Sequence, residues 1–384
     1  GGIAYITMIG TSSDAVWEST KWIFWIMLVP VLFYGIMFLM CHKFPVDERV
    51  ENNVSYIDML REFGGLGIFL ASTFLLYEVL PRLGAHFGDN HLLYCLVIGA
   101  IIGLISGLLL KSGGKFLFFI LCLIMIPLAT AEIATDGWIR TLMEPIMGAE
   151  GAAWAIVLSA GIMMVLRFFA GVPLKFMSPP QLLLLSSVFS IAGLYALSVV
   201  PAGVAIFLAF ILYAIGQTFY WPTVLGFVSE QFPKGGAMTL NTVSAMGLLT
   251  VGIFGFPFLG AVQNHYKTEA LKAKEPALVQ SIIENKTTFT DTTNAEKPVE
   301  KPIFEEKVLF NVKYDSINTT EFSKLPEMTD ERREVVNSTL AGTSQSSLRV
   351  AAVLPAIMAV AFLLIIIYYK ARGGYKPVTI ADDE

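Results

Sequence analysis

Nine apolar stretches, most of them about as long as a bilayer is thick, constrain this chain more than any other feature. They run over 22–41, 66–81, 91–110, 116–134, 151–172, 181–200, 203–222, 236–262 and 350–369. A hydrocarbon core of about 30 Å takes roughly 20 apolar residues to cross as a helix. No water is available there for backbone amides, so each span must satisfy its own hydrogen bonds as a helix. The expected fold class is all-α: a polytopic helical membrane protein of about nine transmembrane helices, working through a cavity between them.

The bilayer is therefore the first expected partner. Charged residues make up 15% of the chain, against about 25% in soluble domains. The net charge of −5 argues against a nucleic-acid partner. Cys41, Cys95 and Cys122 lie in or at the end of apolar runs without a CxxC pair, and read as small buried hydrophobes. His42, His86, His91 and His265 lie at span ends or in loops without ligand spacing. No metal and no cofactor is expected. There is no HExxH, no GxSxG and no Walker A loop, so no enzyme signature is present.

Cytoplasmic loops collect Lys and Arg. Numbering the loops alternately, one set holds Lys43, Arg49, Arg61, Lys111, Lys115, Arg167, Lys175, Lys234, Lys370, Arg372 and Lys376, eleven in all. The other, without the long segment 263–349, holds Lys21, Arg82 and Arg140. This bias puts the C-terminus in the cytoplasm and residues 1–20 outside.

The loops divide the chain further. Residues 42–65 form a cytoplasmic link, in which Ser55 and Asp58 have the spacing of a helix N-cap and its N3 acid. Ile57, Leu60 and Phe63 share one face, as in a helix lying on the membrane surface; a solvated linker fits equally. Residues 263–347 are rich in Thr, Glu, Asn and Lys. Helices fit 268–285 and 328–340, and a strand fits 303–317, but no sustained core pattern emerges. The segment reads as a partly ordered extracytoplasmic loop or small cap. Inside the membrane, Gly99, Gly103 and Gly107 form a close-packing face. Gly247, Gly252, Gly255 and Gly260, with Pro257, make span 236–262 bendable, and Pro222 follows Tyr220-Trp221.

Ionisable groups within spans are candidates for function. Glu132, Asp136 and Arg140 fall at i, i+4 and i+8 on one helix face, with Thr135 and Trp138 beside it. A carboxylate there suits a sugar hydroxyl or a proton, and Trp138 suits stacking on a sugar ring. If the span ends near Ala134, Asp136 and Arg140 are instead a solvated pair at the outer interface. Tyr213, Gln217 and Tyr220 follow i, i+4, i+7, joined by Trp221, and Asn241 lies in the next span. These uncharged groups suit a polyol, or plain interhelical hydrogen bonding. Arg167 and Lys175 read as headgroup anchors flanking a cytoplasmic turn.

The stretch Arg167-Phe-Phe-Ala-Gly-Val-Pro-Leu-Lys175-Phe-Met-Ser-Pro-Pro180 joins two spans through a short basic turn. It resembles the second, degenerate copy of the Gly-and-basic loop of major facilitator superfamily transporters, with Gly171 and Lys175 in the matching places and the usual acid missing. Trp22 to Pro45 resembles that fold's sixth helix, and Glu132 to Met143 the end of the seventh. Sugar and polyol proton symporters are the nearest match. The resemblance implies a C-terminal bundle preceded by about five further helices, with residues 1–10 as the tail of the fifth. The spans within 66–110 would be an inserted pair.

The resulting division is a loop at 1–19, a helix at 20–41, a link at 42–65, the inserted pair at 66–110, a bundle at 111–262, the cap at 263–347, a last helix at 348–370 and a tail at 371–384. The expected function is a secondary active transporter for a small polar solute, a sugar or polyol by resemblance. It is coupled to protons and works by alternating access. Glu132, Trp138, Tyr213, Gln217, Tyr220, Trp221 and Asn241 are the expected solute-binding residues. A bacterial inner membrane is the expected location. The rival reading is a non-transporting scaffold or lipid-modifying enzyme whose cap binds a partner.

Overall fold

The computed structural model describes residues 13–41, 50, 53–85, 88–201, 203–291, 299–310 and 312–380. The expected tail at 1–10, Lys43 and Arg49 of the link, His86 and the end of the C-terminal tail lie outside the described residues. The chain is an all-α helical membrane protein, with small β-hairpins outside its apolar helices. Among the described residues, seven helical segments are long and apolar enough to cross a membrane: Tyr56–Arg82, His91–Leu110, Phe116–Phe168, Pro179–Val199, Val204–Gln231, Pro233–Lys274 and Asp330–Ala371. Trp25–Met40 is a shorter apolar helix.

Helix α1 (Ser13–Met40) exposes every side chain from Trp25 onward. Cys41 at its end is exposed as well, contrary to the expectation of a buried thiol. Cys95 and Cys122 are buried.

Helices α2 (Tyr56–Arg82) and α3 (His91–Leu110) pack as a hairpin. The glycine face of α3 makes this possible. A Cβ at Gly103 would fall 2.7 Å from the Gly65 carbonyl, and one at Gly99 would strike the Thr73 hydroxyl. The expected cap at Ser55 forms, its hydroxyl accepting from the Asp58 amide (3.2 Å). The expected surface helix is instead the first turns of α2, which breaks at Gly64 (φ 58°, ψ −170°) before entering the apolar run. The amides that the break releases, on Gly65 and Leu66, donate to the Ser112 and Gly113 carbonyls. A broken helix is tolerated in this setting because its freed groups find protein partners. Lys115 also pairs with the buried Glu62 (2.9 Å), so the hairpin is stitched to the start of the next helix.

That helix, α4 (Phe116–Ala129), passes through a π-helical segment, Thr130–Ala134, into α5 (Thr135–Phe168). The two expected spans 116–134 and 151–172 belong to this one segment, interrupted at Gly148 (φ 75°, ψ 166°). Glycine occupies this left-handed conformation at low cost, and there the chain folds back on itself. Glu132 near one arm's middle reaches Arg167 near the end of the other.

Helices α6 (Pro179–Val199) and α7 (Val204–Thr218) cross closely. A Cβ at Gly216 would sit 2.4 Å from the Ser190 amide, and one at Gly193 2.4 Å from the Tyr213 amide. After Phe219 the chain continues as α8 (Tyr220–Gln231), then α9 (Gly236–Thr250), a second π segment (Val251–Gly255) and α10 (Phe256–Lys274). The two π segments touch: a Cβ on Gly255 would lie 2.7 Å from that of Ala134.

The segment 263–347 is more ordered than its composition predicts. Helix α10 runs on to Lys274, and α11 (Pro276–Asn285) follows. Strands β1 (Thr288–Asp291) and β2 (Val299–Pro302) pair antiparallel, as do β3 (Phe304–Leu309) and β4 (Val312–Ile317). A short α12 (Thr319–Phe322) precedes α13 (Asp330–Ala351), which leads into α14 (Val353–Ala371). Leu271, Val279, Ile282, Ile303, Ile317, Phe322, Met328 and Val336 form a core of their own. The cap thus rests on outward extensions of α10 and α13. The Thr268 hydroxyl accepts from the Ile317 amide (3.1 Å), and Lys272 pairs with Asp315 (2.6 Å).

Candidate functional site

A cluster of buried polar side chains lies where the first π segment meets α5 and α7. A π turn leaves carbonyls without their regular helical donors. The Thr135 hydroxyl donates to the Thr130 carbonyl (2.9 Å), and the fully buried Tyr213 hydroxyl donates to the Ala131 carbonyl (2.8 Å). Tyr213 therefore pins α7 to the distorted turn. That turn carries Glu132, whose side chain is 7% exposed.

Arg167 reaches Glu132 from the other arm of the hairpin, Nη2 donating to Oε1 at 2.7 Å. Its Nε donates to the Thr218 carbonyl (3.0 Å). This corrects the expectation that Arg167 anchors a cytoplasmic turn at the headgroups. The Arg167 side chain is 41% exposed, and its guanidinium donates to two specific acceptors. The Thr218 carbonyl is available because residue 222 is proline: it has no amide to return to the residue four positions back.

Gln217, fully buried, is the second centre. Its Nε2 lies 3.1 Å from Asp136 Oδ1, 3.2 Å from Ser159 Oγ and 3.3 Å from Met163 Sδ. The helix continues well past Ala134, so Asp136 is not the interfacial acid that an early helix end would make it. Arg140 turns away to Glu144 (3.5 Å). Glu132 thus pairs with the Arg167 guanidinium, while Asp136, one turn on, accepts from Gln217. Two buried acceptors, Glu132 Oε2 and Gln217 Oε1, receive no hydrogen bond from the described residues.

The expected site residues therefore divide. Glu132, Tyr213 and Gln217 come together. Tyr220 is fully buried one helix further, its hydroxyl 3.5 Å from the Ser186 carbonyl, and packs rather than lining the polar cluster. Trp221 fills the space beside Gly247, and Trp138 that beside Gly260. Asn241 is exposed and stands apart from the cluster. Arg167, Ser159 and Met163 join the cluster without having been expected there. Arg167 lies one residue from the end of an apolar helix that also contains Ser159, where a basic residue ordinarily reads as a headgroup anchor. Among the described residues no group of three or more His, Cys, Asp or Glu is placed to hold a metal ion.

No family model and no curated protein matches the chain. Among solved structures, a bacterial homologue of the human lysosomal transporter Spinster is similar in two inward-facing conformations. The unoccupied one is 14% identical with a TM-score of 0.47, over 84% of this chain and 70% of that one. The occupied one is 15% identical with a TM-score of 0.45, over 84% of this chain and 69% of that one.

Proposed function

We propose that the chain is the solute-handling helical bundle of a secondary transporter for a small polar solute, with proton coupling at the Glu132–Asp136 pair. The observation that carries this reading is the presence of two unfilled acceptors, Glu132 Oε2 and Gln217 Oε1, in one buried cluster. A buried acceptor left unmade costs about 1–3 kcal/mol. Such a cost is offset when a donor arrives. A polyol or sugar brings hydroxyl donors for Gln217 Oε1. A proton on either carboxyl supplies a donor too, and leaves the remaining carboxylate matched to Arg167 alone. The adjoining π segments, Thr130–Ala134 and Val251–Gly255, give two contacting helices a place to bend. Distortions of this kind recur at functional sites in membrane helices. Solute exchange by the intact protein in vesicles, across a panel of polyols and sugars, tests the reading. Gln217→Leu should abolish exchange of the best solute; unchanged exchange kinetics would remove Gln217 from the site.

The ordered cap favours one other reading, a non-transporting membrane protein that binds a partner through 275–329. Deleting those residues separates the two: transport survives in part if the bundle carries the function, and a scaffold loses everything.

A further inference from the structure

At the end of the bundle where α4 begins and α14 ends, a groove of about 810 Å³ runs from charge into oil. Its mouth holds Lys115, Arg372 and Lys376. Its floor is Leu117 and Ile120 of α4 with Ala361, Leu364 and Ile365 of α14. We infer that this groove binds one anionic glycerophospholipid, with its phosphate between Arg372 and Lys376 and an acyl chain laid between α4 and α14.

Three observations converge on that occupant. The first is charge. Lys115 is committed to Glu62 at 2.9 Å. Arg372 and Lys376 are exposed and pair with no carboxylate among the described residues, which leaves two positive charges at the mouth. Cations next to a membrane helix attract anionic lipid, each contributing a severalfold gain in affinity. The second is the floor. Its helices cross the membrane, and Leu364 is 61% exposed there, so a lipid reaches the groove sideways from its own leaflet. The third is the way the mouth is fixed. Lys376 gives its carbonyl to Gln231 Nε2 (2.8 Å), Tyr369 donates to Gln231 Oε1 (2.7 Å), and the Val378 amide donates to the Glu230 carbonyl (2.8 Å). Tyr375 donates to Glu230 Oε2 (2.5 Å). The residues after α14 are thereby strapped across the end of α8, and the Arg372 guanidinium is laid on the Tyr368 ring (4.7 Å). The cations are held at the groove rather than trailing in solvent.

The test is native mass spectrometry of the intact protein in neutral detergent with an equal mixture of phosphatidylglycerol and phosphatidylcholine. The wild type should retain phosphatidylglycerol with roughly tenfold preference. Arg372→Gln with Lys376→Gln should erase the preference, and Leu364→Trp, at an exposed position that folding tolerates, should lower phosphatidylglycerol retention with both charges intact. Lys313→Gln with Lys324→Gln, on the cap, should change nothing. Equal retention of the two lipids by the wild type would overturn the proposal. So would an unaltered preference in the Arg372/Lys376 double variant, full retention in Leu364→Trp, or a matching loss in the cap variant.

Discussion

Pro222 and Arg167 are linked through one carbonyl. The proline withholds the amide that the Thr218 carbonyl would accept in an unbroken helix, and Arg167 Nε donates to that carbonyl at 3.0 Å. The break between α7 and α8 thus supplies half of the anchorage of the guanidinium that faces Glu132. Pro222→Ala restores a helical donor to Thr218 and competes with Arg167. The expected result is an unchanged or higher unfolding temperature together with transport lowered by roughly tenfold, about 1.4 kcal/mol of barrier. Transport assays run beside thermal unfolding check it; transport at the wild-type rate would detach the helix break from function.

Gln217→Leu removes the donor shared by Asp136, Ser159 and Met163 and leaves the half-buried Asp136 carboxylate with fewer partners. Loss of such a donor costs about 1–3 kcal/mol. Denaturant or thermal unfolding in detergent should show the loss, and Gln217→Glu should not restore transport, because the amide donors are gone. A Gln217→Leu variant as stable as the wild type would show that the amide does not serve these acceptors.

The α6–α7 crossing depends on the absence of a side chain at residue 216, where a Cβ would lie 2.4 Å from the backbone amide of Ser190. Backbone cannot move aside as a flexible side chain can, and overpacking of this kind costs about 1–3 kcal/mol. Gly216→Ala should destabilise by that amount. Gly161→Ala, where nothing lies within 4 Å, should be neutral. Equal unfolding temperatures for the two variants would contradict the crossing.

The cap has its own core, and Phe322 is fully buried within it. Phe322→Ala should destabilise the cap by about 3–5 kcal/mol while sparing the membrane helices. Limited proteolysis reads this directly. Cleavage should rise between 275 and 329, with the helical bundle remaining intact. Global loss of protection would mean that cap and bundle unfold together.

The membrane architecture is legible in the sequence because lipid imposes one rule on every span: apolar side chains outside and hydrogen bonds within. Gly99, Gly103 and Gly107 announce the α2–α3 contact for the same reason, since close helix approach needs small residues at helical spacing. The cluster is only half legible. Glu132 and Gln217 stand out as polar groups in apolar runs. Arg167 does not, because a basic residue at a helix end is ordinarily a headgroup anchor, and the fold-back at Gly148 that carries it to Glu132 leaves no periodic trace. The π segments are silent too, as an extra residue in a turn alters no composition. The cap core is hidden by dilution: Ile317 and Phe322 stand between polar residues, Val279, Ile303 and Val336 belong to short apolar runs far apart in the chain, and only their convergence makes a core.

The most direct measurement of the central claim is proton movement on solute addition. Vesicles containing the intact protein, without a membrane potential or pH gradient, receive the best polyol or sugar while external pH is followed. The account predicts external alkalinisation as protons enter with the solute. It predicts none in Glu132→Gln, which should still exchange solute down its gradient. Solute entry with no proton movement in the wild type, or identical proton movement in Glu132→Gln, would contradict it.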